Sequence, residues 1–286
     1  MREFKGNKVV IMSCSDCNTR CEHCYISYNG NFTGDHLFRV ADNLMKSGVS
    51  VFISGTEPLM HQDFLRTYQL VGQHHALTNG LIFQNNSFDY LDEINSYGIN
   101  ALNISYHFDL HDQISKVPKV FLLELWREIV NKGMSFTINC TISTFNMHKI
   151  IEYCEEALSY GAFRIRFTNL LKQGNACALD EKLILSYSQI DEVIVSINKA
   201  RKLFPKEKLY IERCGSFGAN IKTPKFHCPA GNDTVVLAPN LMVYPCVFTV
   251  QRGKEIGFYS NGKIYINEEW KNNGEQCIAL FELNHF

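Results

Sequence analysis

KVVIMSCSDCNTRCEHCY, residues 8–25, runs an apolar, β-branched stretch directly into a loop that carries four cysteines. Val9, Val10 and Ile11 make KVVIM (8–12) a strand by composition. Cys14, Cys17, Cys21 and Cys24 fall within eleven residues, the last three spaced Cys17-x3-Cys21-x2-Cys24. The next run, HLFRVADNLMKSG (36–48), sets Leu37, Val40, Ala41, Leu44 and Met45 at helical spacing and ends on Gly48. That is a helix with its stop signal.

The same strand–helix pairing repeats down the chain. VSVFIS (49–54), HHALTNG (74–80), INALNISYH (99–107), MSFTINCTI (134–142) and AFRIRFTNLL (162–171) read as strands. LMHQDFLRTYQLVG (59–72), FDYLDEINSYG (88–98), VFLLELWREIVNKG (120–133), HKIIEYCEEALSYG (148–161) and SYSQIDEVIVSINKARKLFP (186–205) read as helices. Such alternation implies a parallel sheet with helices packed outside it. Six units predict an α/β fold, an incomplete (β/α)6 barrel. Ligands of such sheets sit at the carboxyl ends of the strands, so the residues just beyond each strand are the candidates. After about residue 206 glycine, proline and cysteine become frequent, which predicts two domains, 1–208 and 209–286.

Lys and Arg number 28 against 29 Asp and Glu, for a formal net charge of −1. No global basic field is present to attract nucleic acid or an anionic membrane. No run is long and apolar enough for a transmembrane helix or signal segment, so a cytoplasmic protein is expected. There are 11 cysteines. In a reducing compartment many cysteines point to metal binding or catalysis, and an odd number argues against a disulfide framework.

Three thiolates on one short loop suit the iron corners of a cubane cluster. One iron is then left without a protein ligand, as catalytic metal sites require. Two CxxC pairs, Cys14/Cys17 and Cys21/Cys24, offer zinc as the alternative, although zinc ribbons separate such pairs by a dozen or more residues. Buried inert thiols are the third reading, and the one expected for Cys14. Beyond the second strand, SGTEP (54–58) offers Gly55 for close backbone approach and Glu57 as a carboxylate to pair an ammonium group.

A CxxxCxxC loop after the first strand of a partial barrel, followed by GTEP after the second, resembles the radical S-adenosylmethionine (radical SAM) superfamily. His23 stands where an aromatic usually precedes the last cysteine, and GTEP departs by one residue from the family's GGEP. The resemblance implies a catalytic [4Fe–4S] cluster on Cys17, Cys21 and Cys24, with S-adenosylmethionine held by Gly55, Thr56 and Glu57. It adds Asn79 after the third strand, Ser105 at the end of the fourth, Asn139 on the fifth and Arg166 on the sixth. His107 replaces an acid that relatives carry two residues after the serine.

CGSFG (214–218), FHCPAG (226–231), LAPNLMVYPC (237–246) and Cys277 resemble the auxiliary-cluster appendage called SPASM, or its shortened form, twitch. The resemblance implies a second, auxiliary [4Fe–4S] cluster on Cys228, Cys246 and Cys277. Cys214 is either its fourth ligand or a hydrogen-atom donor near the substrate. Zinc on the same four cysteines is the alternative.

The implied activity is reductive cleavage of S-adenosylmethionine to a 5′-deoxyadenosyl radical that abstracts hydrogen from a substrate. A ribosomal peptide undergoing crosslinking, epimerisation or oxidation is the expected substrate. An aminocyclitol or sugar is the alternative, and a non-catalytic iron–sulfur or zinc scaffold the alternative of another class. With the first strand at residue 8, no leader-recognition domain is expected ahead of the barrel. The implied partners are the substrate and an external one-electron reductant such as flavodoxin or ferredoxin, without nucleic acid or membrane.

Overall fold

The computed structural model describes residues 1–85, 88–214, 217 and 228–272. Among them are twelve strands: β1 (Arg2–Glu3), β2 (Lys8–Met12), β3 (Ser50–Ser54), β4 (His75–Thr78), β5 (Ala101–Ser105), β6 (Ser135–Ile142), β7 (Arg164–Asn169), β8 (Tyr210–Arg213), β9 (Thr234–Leu237), β10 (Met242–Tyr244), β11 (Gly257–Ser260) and β12 (Lys263–Ile266). The six strands read from the sequence are β2 to β7, each within two residues of its expected bounds at either end. The architecture is a mixed α/β fold with a curled, parallel half-barrel sheet.

The barrel wall is made in two pieces. β2 and β3 pair in parallel, as do β4, β5, β6, β7 and β8 in sequence. Between β3 and β4 a side-chain amide stands in for the ladder. Gln73 Oε1 accepts from Ile53 N–H at 2.6 Å, while its Nε2 donates to Ile53 O at 3.0 Å and His75 O at 2.8 Å. A primary amide carries one acceptor and two donor hydrogens, so it can satisfy two strand edges at once.

Two further strands bind the C-terminal region to the core. β8 extends the sheet beyond β7, so the expected division at 208/209 falls just before a strand of the half-barrel sheet. On the other side β9 pairs in parallel with β2, Val9 opposite Val235 and Ile11 opposite Leu237. β9, β10, β11 and β12 then form an antiparallel meander, and β1 pairs with β12.

Helices cover the convex face. Gly34–Lys46 is capped by Thr33, whose hydroxyl accepts from His36 N–H, and it buries Leu37, Val40, Ala41 and Leu44. Lys119–Asn131 buries Phe121, Leu122, Leu125, Trp126 and Ile129, and Ile150–Ser159 buries Tyr153 and Cys154. Tyr187–Leu203 starts on a Ser186–Gln189 capping box and buries Ile190, Val193 and Ile197. Each large apolar side chain so buried contributes about 1.5–3 kcal/mol. The expected helix over 59–72 is shorter. Two 3-10 turns, Pro58–Met60 and Gln62–Phe64, precede Leu65–Leu70, because Pro58 starts a turn and Asp63 accepts from Gly34 N–H at 2.7 Å. No helix among the described residues is long and apolar enough to cross a membrane.

Candidate active site

A cavity of about 330 Å³ opens at the carboxyl ends of the strands. Eight of the residues singled out from the sequence line it: Cys17, Cys21 and Cys24, Gly55 and Thr56, Asn79, Ser105 and Asn139. Thr141, Thr168 and Asn169 also line it and were not singled out. A threonine inside a strand carries no sequence signal of its own; register alone sets Thr141 beside Thr168, two residues above Asn139 and Arg166.

The cysteine loop leaves β2 under tight control. Ser13 N–H and its hydroxyl both donate to Ser54 O at 2.7 Å, and Thr56 N–H donates to Cys14 O at 3.0 Å. A Cβ on Gly55 would meet Ser13 Oγ at 2.8 Å and Cys14 Sγ at 2.9 Å, so only glycine lets the two strand ends come this close. Cys14 is fully buried, and burial pushes its thiol up to about 11. It is a packed thiol with no route to the cavity's lining. Cys17 and Cys21 are half-buried, and both sulfurs rest against one hydroxyl, Thr19 Oγ1, at 3.3 and 3.5 Å. Asn79 Nδ2 donates to Cys17 Sγ at 3.5 Å and to Asn18 Oδ1 at 2.8 Å. Burial raises the Cys17 and Cys24 thiols above their ordinary value. A bound metal inverts that preference by holding the thiolate outright. Among the described residues no three His, Cys, Asp or Glu side chains gather as the ligands of a single ion.

Glu57 lies behind the lining, fully buried. Its Oε2 accepts from Asn79 N–H at 2.7 Å, and its Oε1 has no partner. Burial raises the carboxyl to about 7 against hydrogen bonds from Thr78 and Asn79 that pull the other way. A buried carboxylate oxygen without a donor is costly unless a cation or donor completes it.

No protein-family model matches the sequence, and neither does any curated protein sequence. Solved structures do match in shape. SuiB of Streptococcus suis bound to S-adenosylmethionine superposes with a TM-score of 0.71 at 15% identity, over 88% of this chain and 62% of that one. SuiB bound to its precursor peptide SuiA gives 0.70 at 14% identity over the same shares. The chain thus spans about three fifths of the length of SuiB. The anSMEcpe structure with bound AdoMet and the Cp18Cys peptide gives 0.63 at 15%, over 88% of this chain and 77% of that one. The chain has the radical SAM fold.

Within this radical SAM fold a second loop grips the cysteine loop. Asn175 N–H donates to Cys24 O at 2.8 Å, and its Nδ2 donates to Cys21 O at 3.1 Å. Ala176 N–H shares Cys24 O at 3.4 Å. Gly174 has φ +62°, and a Cβ there would stand 2.6 Å from Cys24 O and the Tyr25 carbonyl carbon. A turn of the C-terminal region closes the other side. Gln251 Oε1 accepts from Ser27 and Tyr28 N–H, and the Phe248 ring tilts against Tyr25 with centroids 4.8 Å apart. None of these contacts was read from the sequence, because the partners lie some 150 to 220 residues apart.

His23 and His107 form one wall, their rings edge to face at 4.3 Å. His107 accepts from Thr141 N–H at Nδ1, so its neutral ring carries the proton on Nε2, which has no partner. Burial holds its pKa well below the usual histidine range.

The remaining candidates lie away from the lining. Arg166 sits two residues below Thr168 on β7 and pairs with Glu212 of β8 at 3.1 Å. Cys214 follows β8, its N–H bonded to Phe167 O. Cys228 is buried, and Cys246 caps the short helix Val247–Val250. Tyr25, which lines the cavity, is within electrostatic reach of Cys24, Cys246 and Cys214, and with burial their charges push its phenol upward. Cys277 lies outside the described residues.

Proposed function

We propose that this chain is a radical SAM enzyme that modifies a peptide. One observation carries the reading: the CxxxCxxC thiols line a cavity at the strand ends, and the buried Glu57, its Oε1 unpaired, is bonded to Asn79 of the same lining. The donor set fits both groups. Cys17, Cys21 and Cys24 would hold a [4Fe–4S] cluster. Glu57 Oε1 would accept the cofactor's ammonium group, with Asn79 holding the carboxylate by its backbone and Cys17 by its amide. Gly55 and Thr56 line the cavity beside it, and Ser105 and Asn139 offer a hydroxyl and an amide, Asn139 Oδ1 lacking any partner. When bound, the cluster and S-adenosylmethionine supply a 5′-deoxyadenosyl radical that abstracts hydrogen. Leu77, Leu170, Leu171 and Phe248 give the cavity apolar surface that excludes water.

The lining favours a peptide over an aminocyclitol. Among the described residues Arg20 is its one permanently charged side chain; the others are hydroxyls, amides, thiols, neutral imidazoles and apolar groups. The ammonium groups of an aminocyclitol call for carboxylates, and Glu57 is already assigned to the cofactor. SuiB and anSMEcpe were each captured with a peptide. Electrons would come from an external one-electron donor such as flavodoxin or ferredoxin.

Residues 209–286 are read as a twitch-like unit, with Cys228, Cys246, Cys277 and Cys214 around an auxiliary [4Fe–4S] cluster. Support comes from the shelter of these thiols: Cys228 is buried, and Cys214 and Cys246 are half-buried.

The test is anaerobic reconstitution with iron and sulfide, then dithionite and S-adenosylmethionine, with 5′-deoxyadenosine as the readout. About eight irons per chain with product supports both clusters, and about four with product removes the auxiliary one. A loaded cluster that gives no product puts the scaffold reading ahead. Zinc in place of iron overturns the proposal.

A further inference from the structure

The sequence motif supplies three cysteines and one internal prop, Thr19 Oγ1 between the Cys17 and Cys21 sulfurs, but little that fixes the Cys21–Cys24 turn. Within the loop the described backbone contact is a single turn bond, Cys24 N–H to Cys21 O at 3.2 Å. Carbonyl oxygens of two of the three candidate ligands point to one residue from outside the motif. Asn175 reaches Cys24 O with its backbone N–H and Cys21 O with its side-chain amide. Gly174 brings that backbone into contact by its left-handed conformation, which an L side chain rarely adopts. Gln173 anchors the strap from below: it is buried, and its Nε2 donates to Phe248 O at 2.7 Å.

We infer that Asn175 is a positioning residue for the cysteine loop, fixing the Cys21–Cys24 turn before any cluster binds. This rests on the proposed assignment of Cys21 and Cys24 as ligands only for its catalytic consequence; the clamp itself belongs to the ligand-free chain. A carbonyl has two lone pairs, and Cys21 O uses one for the internal turn and one for Asn175. Removing the side-chain amide therefore loosens the Cys21 carbonyl and the two thiols on either end of the turn, which Glu22 N–H to Ile114 O at 3.1 Å and Asn175 N–H to Cys24 O hold only in part. The main-chain bond from Asn175 to Cys24 survives any substitution except proline, so the side chain can be tested alone.

Asn175→Asp is nearly isosteric and replaces the donor with a charged acceptor. In the metal-free, reduced chain the alkylation rates of Cys21 and Cys24, read by mass spectrometry, should rise about fivefold, the worth of one net hydrogen bond. Cys14 and Cys140 labelling and the melting temperature should not move, which separates positioning from global loosening. Asn175→Ala should repeat the result without adding a charge. In the reconstituted protein, iron should pass to a chelator faster by a similar factor, and the spectrum of the reduced cluster should broaden. Unchanged alkylation of Cys21 and Cys24 in both variants overturns the inference. So does an equal rise at Cys14. If the wild-type chain takes up no iron, the proposed function fails, and the alkylation rates still decide this inference.

Discussion

The cysteines that line the cavity and those packed in the core occupy two different media. Cys14, Cys140 and Cys154 are fully buried. Burial pushes Cys14 up to about 11 and Cys154 up to about 12, and it holds Cys140 well above the ordinary thiol range, so these thiols stay protonated and inert. Cys17, Cys21 and Cys24 line an open cavity; the Cys17 and Cys21 sulfurs rest on a hydroxyl, Cys17 on an amide as well, and the Cys21 and Cys24 carbonyls are tied down from a distant loop. The same side chain is core filler in one place and a thiol presented to a cavity in the other. What separates them is the end of a strand: one residue after Met12 the chain is still packed, and five residues after it the sulfur faces the cavity.

Substitution should expose that contrast most sharply. Cys21→Ala is expected to lower iron by about four per chain and to cut 5′-deoxyadenosine formation by about a thousandfold or more. Cys140→Ala should leave both unchanged and cost about 1–2 kcal/mol of stability, measured by denaturant unfolding. Equal iron loss in the two variants would erase the distinction.

The strand–helix alternation was legible because each unit carries its own period and its own stop. The cysteine loop was legible because cysteine spacing survives in one dimension. Other features were not, for definite reasons. Gln73 reads as a polar residue in a turn, and nothing local says that its amide will join two strand edges. β8 lies past a long helix, so YIER (210–213) looked like the start of another domain and Arg166 looked free to reach a cofactor. Once Glu212 is placed beside it, Arg166 has its partner inside the sheet. Asn175 sits in a loop with no pattern, and its meaning exists only in contact with residues 21 and 24.

The seam at Gln73 is the next place to press, because there a side chain replaces what is elsewhere a backbone ladder. Gln73→Leu would leave Ile53 N–H, Ile53 O and His75 O without their partner. The expected cost is roughly 3 kcal/mol, or a fall in melting temperature of roughly 6–12 °C. A loss under about 1 kcal/mol would mean that the strand edges find each other or water without it.

Two glycines give a smaller and cleaner comparison. Gly174 and Gly48 both have positive φ, but a Cβ at Gly48 meets nothing within 4 Å whereas at Gly174 it strikes the cysteine loop. Gly48→Ala should cost about 1 kcal/mol and spare cofactor cleavage. Gly174→Ala should cost about 2 kcal/mol and depress cleavage as well, since the loop must move. Parallel losses in both assays for both variants would make Gly174 an ordinary turn residue.

The gentlest probe is pH, and it acts on Glu57. Its carboxyl is raised from an ordinary 4.5 to about 7 by burial. In the ligand-free chain the folded state therefore binds the proton more tightly than the unfolded state. Stability from this group is greatest below about 4.5 and is lost as pH rises through about 7. Binding of S-adenosylmethionine runs the other way, because its ammonium group needs the ionised carboxylate. Affinity should fall by up to about tenfold for each pH unit below about 7 and level off above it. Equilibrium dialysis between about pH 5.5 and 8, set beside thermal melts over the same range, would show two opposed slopes. Glu57→Gln should flatten both, and its affinity at the upper end should lie at least about tenfold below wild type. If the wild-type affinity is flat across the range and the glutamine variant binds as well, the buried oxygen is not the ammonium site. Glu57 would then be a strained piece of the wall, as inert as the thiols beneath it.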